Sequence, residues 1–156
     1  MRKHFMTVAT VAAMGLANTA MAQDLLTAAK AEPIAAIMQE AGLQAEVGKD
    51  NVGDPLITSS AAGANFSVLF YGCTAGKDCT SVQLNACFDL PEGTTLEIAN
   101  TWNKDMRYGK ASLNENLDPC LMMDIDMTAG ISGATFKSSI QTWSQVLGKF
   151  TTAIGF

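Results

Sequence analysis

The sequence predicts an α+β fold: one antiparallel sheet of about six strands with an N-terminal helix, a middle helix and a long C-terminal helix. Three observations lead there. Apolar residues recur at helical spacing in three stretches, from Pro33 to Ala41, from Leu96 to Trp102 and from Phe136 to Ile154. Between them lie runs such as "NFSVLFYGC", "SVQLNACFDL" and "CLMMDIDM", rich in β-branched, aromatic and other apolar residues at alternate positions. The order is helix, about four strands, helix, two strands, helix, and strands bunched in this way form an antiparallel sheet.

The first 22 residues, "MRKHFMTVATVAAMGLANTAMA", have the three parts of a secretory signal. Arg2 and Lys3 give a positive start, and Phe5 to Ala17 is apolar, small and uncharged. Ala20-Met21-Ala22 is the small-x-small pattern that signal peptidase cuts, here between Ala22 and Gln23. The apolar run falls short of the about 20 residues that a membrane span needs. The expectation is therefore a protein exported to the periplasm or beyond, with residues 23–156 as one mature domain without a membrane span.

Within that domain, "LLTAAKAEPIAAIMQEAGLQ" predicts a short extended lead-in and a helix, with Pro33 in the first turn and Gly42 just past the last. Ile34, Ile37, Met38 and Ala41 line its core side. "AEVGKDNVGDPLITSS" predicts two strands around a polar turn at Asp50 to Asp54. Strands from Asn65 to Cys73 and from Ser81 to Leu90 follow. "TTLEIANTWNKDMRYG" predicts a helix capped by Thr94 or Thr95, with Leu96, Ala99 and Trp102 on one face. "YGKASLNENLDPC" predicts a strand and a turn, and "CLMMDIDMT" a further strand. In the last helix Phe136, Ile140, Trp143, Leu147, Phe150 and Ile154 form a narrow apolar stripe.

Loss of residues 1–22 removes the only histidine, His4, and two basic residues. Eight Lys and Arg then face fifteen Asp and Glu, a net charge near −7. Such a surface repels phosphate backbones and anionic lipid, so neither nucleic acid nor a membrane surface is an expected partner.

Export sets the meaning of the four cysteines. Outside the cytoplasm thiols oxidise, and four of them allow three pairings. In "YGCTAGKDC" the C-x5-C spacing is unlike a zinc knuckle and unlike a C-x-x-C redox pair, and it sits between two strand-like runs. Cys73 and Cys79 are expected to staple a hairpin loop. Strand alternation places Cys87 with Gln83 and Asn85, and Cys120 with Met122, Asp124 and Asp126, on the more polar faces of their strands. A Cys87–Cys120 bridge follows if the two strands are near neighbours. Bridges from Cys73 or Cys79 to either residue remain the alternative.

The chain resembles the YbjN family of bacterial proteins. The resemblance is carried by "NFSVLFYGC" with "CTSVQLNACF", by "IANTWNKDMRYGKASL", by "CLMMDIDMTAGIS" and by Trp143 and Phe150. Asn100-x-Trp102-Asn103 followed by Arg107-Tyr108 is its most specific part, and the match covers nearly all of the mature chain. The resemblance implies a fold like that of type III secretion chaperones and a role in sensory-transduction regulation. It implies no reaction and no catalytic residues.

The residues themselves offer little chemistry. Without histidine, and with the cysteines paired, the mature chain lacks Ser-His and Cys-His nucleophile pairs and imidazole metal sites, so no cofactor or metal is expected. Asp124 and Asp126, two apart on one strand face, are the one candidate acid pair, for a carboxylate-dependent hydrolase. The simpler reading is a solvated sheet face. "NENLD" lacks the glycine and the terminal glutamate of a calcium loop and reads as a turn. The candidate binding surface is Asn100, Asn103, Arg107 and Tyr108, with Trp143 and Phe150 of the last helix. On a helix, Asn100, Asn103 and Arg107 share one face, where they could meet a peptide or a carboxylate, or tie the helix to the next strand. The leading expectation is a non-enzymatic envelope module that binds a protein or peptide through a sheet edge or the last helix, or pairs with itself as a homodimer. A hydrolase and a structural envelope protein are the alternatives.

Overall fold

The computed structural model describes residues 25–156, so the signal-like stretch and the expected cleavage between Ala22 and Gln23 lie outside the described residues. The elements are α1 (Ala31–Glu40), β1 (Glu46–Lys49), β2 (Pro55–Ala61), β3 (Ala64–Tyr71), β4 (Ser81–Cys87), α2 (Leu96–Asp105), β5 (Lys110–Leu113), β6 (Pro119–Asp126) and α3 (Gly133–Ile154). This is the α+β order read from the sequence. The six strands form one antiparallel sheet in the order β1-β2-β3-β4-β6-β5.

Turn chemistry sets the register. Ala62 and Gly63 both adopt positive φ, 51° and 80°. That is the two-residue turn whose twist suits a hairpin, and it pairs Ala61 with Ala64. Inside the 73–79 loop, Ala75 and Gly76 repeat the device, and Thr74 and Lys77 exchange backbone hydrogen bonds of 2.7 and 3.2 Å. Asn114 builds the β5–β6 turn by accepting from the backbone N–H groups of Asn116 and Asp118 at 2.8 and 2.9 Å. In "NENLD", then, the Asn114 amide oxygen serves the turn itself.

Alternation divides the sheet into two faces. Ile57, Phe66, Val68, Phe70, Val82, Leu84 and Leu121 are buried beneath the helices. Thr58, Ser60, Asn65, Ser67, Gln83, Asn85 and Asp124 lie on the opposite face, more exposed. α3 is capped by the Ser132 hydroxyl, which accepts from Thr135 N–H at 3.0 Å, and it ends at Gly155 in the left-handed conformation. Its stripe of Phe136, Ile140, Trp143, Leu147 and Phe150 is at most 1% exposed. Each such side chain stabilises by about 1.5–3 kcal/mol on leaving water. The stripe packs beside Ile34 and Met38 of α1, both fully buried.

Two cysteine pairs stand at disulfide distance, Cys73 with Cys79 and Cys87 with Cys120. Cys87 and Cys120 are directly opposite in the β4–β6 register, which makes those strands the neighbours that the phase reading required. In the chain-entropy model, closing a loop with a separation of 33 residues stabilises by about 4 kcal/mol. The shorter loop, with a separation of 6, stabilises by about 2 kcal/mol.

Candidate functional site

A sheet that is not closed into a barrel has two edges, and each presents a row of backbone N–H and C=O groups ready to pair with another strand. Here the edges are β1 and β5, and they differ.

The β5 edge is covered at Ala111 by α2. Thr95 caps that helix, its hydroxyl accepting from Ile98 N–H at 3.4 Å. Trp102 anchors it, with the indole N–H donating to Gly109 O at 2.8 Å and the ring packed edge-on against Phe150 at 4.9 Å. Asn103, one residue on, then meets the outer side of β5. Its Oδ1 accepts from Ala111 N–H at 2.8 Å and its Nδ2 donates to Ala111 O at 2.9 Å. A carboxamide presents one acceptor and one donor, as a peptide group does, so Asn103 takes the place of a seventh strand at that point.

The β1 edge is open. From the Ala61–Ala64 turn, hydrogen-bonded and non-hydrogen-bonded pairs alternate along β2. That alternation directs Glu46 and Gly48 toward their β2 partners Thr58 and Leu56. It directs the N–H and C=O of Val47 and Lys49 outward. The Gln39 side chain of α1 covers the Ala45 carbonyl at 3.0 Å and goes no further. All four β1 residues are exposed, and among the described residues nothing pairs on their outer side. Beside this edge the polar sheet face forms a concavity of about 560 Å³ lined by Gln44, Glu46, Thr58, Ser60, Asn65, Ser67 and Asn85.

The expected surface residues fare unequally. Trp143 and Phe150 are core, not surface, being 0% and 1% exposed. Trp143 packs edge-on against Phe66 at 5.7 Å, and Phe150 packs on Phe88 and Trp102. The apolar stripe of α3 faces the sheet because the sheet's apolar face has to be covered, which leaves no stripe for a partner. The expected shared helix face is also corrected. α2 ends at Asp105 with Met106 extended, so Arg107 lies beyond the helix rather than one turn after Asn103. The Arg107 guanidinium sits 5.4 Å from the centre of the Tyr108 ring, in the α2–β5 connection, and both residues are exposed. Asn100 is exposed on α2.

Asp124 and Asp126 lie on the polar sheet face, exposed. Asp124 accepts from the Gln83 amide at 2.7 Å. Asp126 accepts from the Thr128 N–H at 2.9 Å and its hydroxyl at 2.7 Å. These bonds, the backbone one foremost, hold the Asp126 carboxyl below its ordinary value. A general acid needs the opposite shift, and the two bonds tie Asp126 to Thr128 at the start of the β6–α3 connection. Among the described residues no three His, Cys, Asp or Glu side chains are grouped to hold a metal ion, and no helix is long and apolar enough to cross a membrane.

Sequence reading missed β1 as a site, whereas Asn103 does tie its helix to the next strand, the alternative named for it above. One signal was present for β1: "EVGK" is short, charged at both ends and carries a glycine, as edge strands do.

Fold and edges together define a one-sided α+β sheet protein with one open edge and one edge covered at Ala111. The chain belongs to the YbjN family, whose model, described as "Putative bacterial sensory transduction regulator", matches residues 30–156. That description is of a regulator and names no reaction. No curated protein matches the sequence.

Proposed function

We propose that this protein is an exported, non-enzymatic regulatory module of the bacterial envelope that binds an extended polypeptide along β1. The observation that carries the reading is the edge asymmetry: Asn103 occupies the outward N–H and C=O of Ala111 in the middle of β5, whereas those of Val47 and Lys49 point outward from an exposed strand. An added strand gains main-chain hydrogen bonds for affinity and alternate side-chain contacts for specificity. The family's description as a regulator supports a protein partner. The signal-like residues 1–22 and two cysteine pairs at disulfide distance support an oxidising compartment outside the cytoplasm.

The test is cross-linking of the tagged protein in its own envelope compartment, followed by mass spectrometry of what is captured. The expected result is a defined partner polypeptide whose capture is lost on Val47→Pro and kept on Arg107→Ala. A partner retained by Val47→Pro places binding elsewhere.

A further inference from the structure

We propose that the segment recognised at β1 is an antiparallel strand reading, in chain order, large apolar residue, β-branched residue, Lys or Arg. This rests on the edge reading above and adds the chemistry of the occupant.

Three features of β1 specify the three positions. Val47 directs both backbone groups outward, so the residue opposite it exchanges two hydrogen bonds with it. That residue's side chain lies beside Val47, 45% exposed on the helix side of the sheet, where a β-branched neighbour packs well.

Gly48 lies on the other face. A Cβ placed there would meet nothing within 4 Å. Across from Gly48, on the same face, run its β2 partner Leu56 and then Leu69, both half-buried. A large side chain opposite Gly48 can lie across the glycine onto Leu56, as aromatic residues cover edge glycines in sheets. In an antiparallel strand this residue precedes the one opposite Val47.

Glu46 specifies the third position. Its carboxylate borders the concavity, whose other polar side chains, Gln44, Thr58, Ser60, Asn65, Ser67 and Asn85, are neutral. Along the row Glu46–Thr58–Ser67–Asn85–Met122–Lys110, the lysine stands five strands away. At about 4.8 Å per strand that is about 24 Å, three screening lengths at physiological salt. Lys49 shares the face of Val47, not that of Glu46. From residue 40 to 54 the chain carries Glu40, Glu46, Asp50 and Asp54 against Lys49 alone. A basic residue opposite Glu46 therefore meets net negative charge.

The experiment measures fluorescence anisotropy of labelled 11-residue peptides, up to millimolar concentration, on the protein purified from the envelope fraction. The parent peptide has Phe-Val-Lys at its centre among Ser and Thr. The expected result is saturable binding, weakened about tenfold when the Lys is replaced by Glu and about threefold to tenfold when the Phe is replaced by Ser. Glu46→Lys should reverse the charge order. Val47→Pro should abolish binding, and so should N-methylation of the peptide's central Val, which leaves the protein's fold untouched. Equal binding of all peptides, still abolished by N-methylation, overturns the sequence preference and keeps the edge reading. No binding of any peptide, or binding indifferent to both Val47→Pro and N-methylation, overturns both.

Discussion

β1 and β5 are each four residues long and each ends the same sheet, yet β5 is covered at Ala111 and β1 is open along its length. The strands do not account for the difference. β5 is covered there because the residue after Trp102 happens to be an asparagine, and because Trp102 is held at Gly109 O and Phe150. That places a donor and an acceptor opposite Ala111. β1 has only Gln39, which reaches Ala45 and stops. What an edge offers at a given position depends on what the neighbouring helix presents there at peptide spacing.

The comparison can be broken most severely at Trp102. Trp102→Ala removes a buried anchor and its hydrogen bond, at a cost of about 3–5 kcal/mol, and detaches α2 from β5. Urea unfolding should show the loss, and size-exclusion chromatography should show self-association through the newly bared edge.

Asn103→Ala tests the cover at Ala111 alone. Ala111 is 5% exposed with Asn103 in place, and the truncation removes one donor and one acceptor from its C=O and N–H at once. The expected cost is about 2–3 kcal/mol by urea unfolding. Asn103→Asp keeps the acceptor for Ala111 N–H and loses the donor to Ala111 O, and should fall between wild type and Asn103→Ala.

Val47→Pro acts on the open edge. Its lost N–H points outward, and edge strands tolerate proline in that orientation. Stability should fall by no more than about 1 kcal/mol by urea unfolding, while capture of a strand partner disappears.

Asp126→Asn has the smallest expected effect and leaves both edges intact. The lowered folded value means that the wild-type carboxylate contributes stability above the unfolded aspartate value, and that this is lost as pH falls through the folded value, below 3.8. The difference between wild type and variant in thermal unfolding should therefore shrink toward low pH, with peptide capture unchanged at neutral pH.

Much of this was visible in the residues. Period-two alternation in "SVQLNACFD" and "CLMMDIDM" placed Cys87 and Cys120 on the polar side of their strands, and in the structure they stand opposite each other. The 4-and-3 spacing from Phe136 to Phe150 marked one apolar face of α3. The spacing did not say what that face meets, and a stripe that suits a partner suits a sheet equally. The end of α2 was misread for a related reason. Asp105, Met106 and Arg107 are all compatible with a helix, and the extended Met106 reflects a chain turning back so that Gly109 and Ala111 reach Trp102 and Asn103.

The sequence by itself determined the order of elements, the two faces of each strand and the phase of Cys87 and Cys120, because these depend on periodicity and turn residues within a few positions. The tertiary structure alone decided which strands became edges and which edge stayed open. Those outcomes depend on β6 inserting between β4 and β5 and on Asn103 lying opposite Ala111. Both join groups distant in sequence, and since nearly every residue carries the same backbone donor and acceptor, local side-chain periodicity does not record which of them will meet.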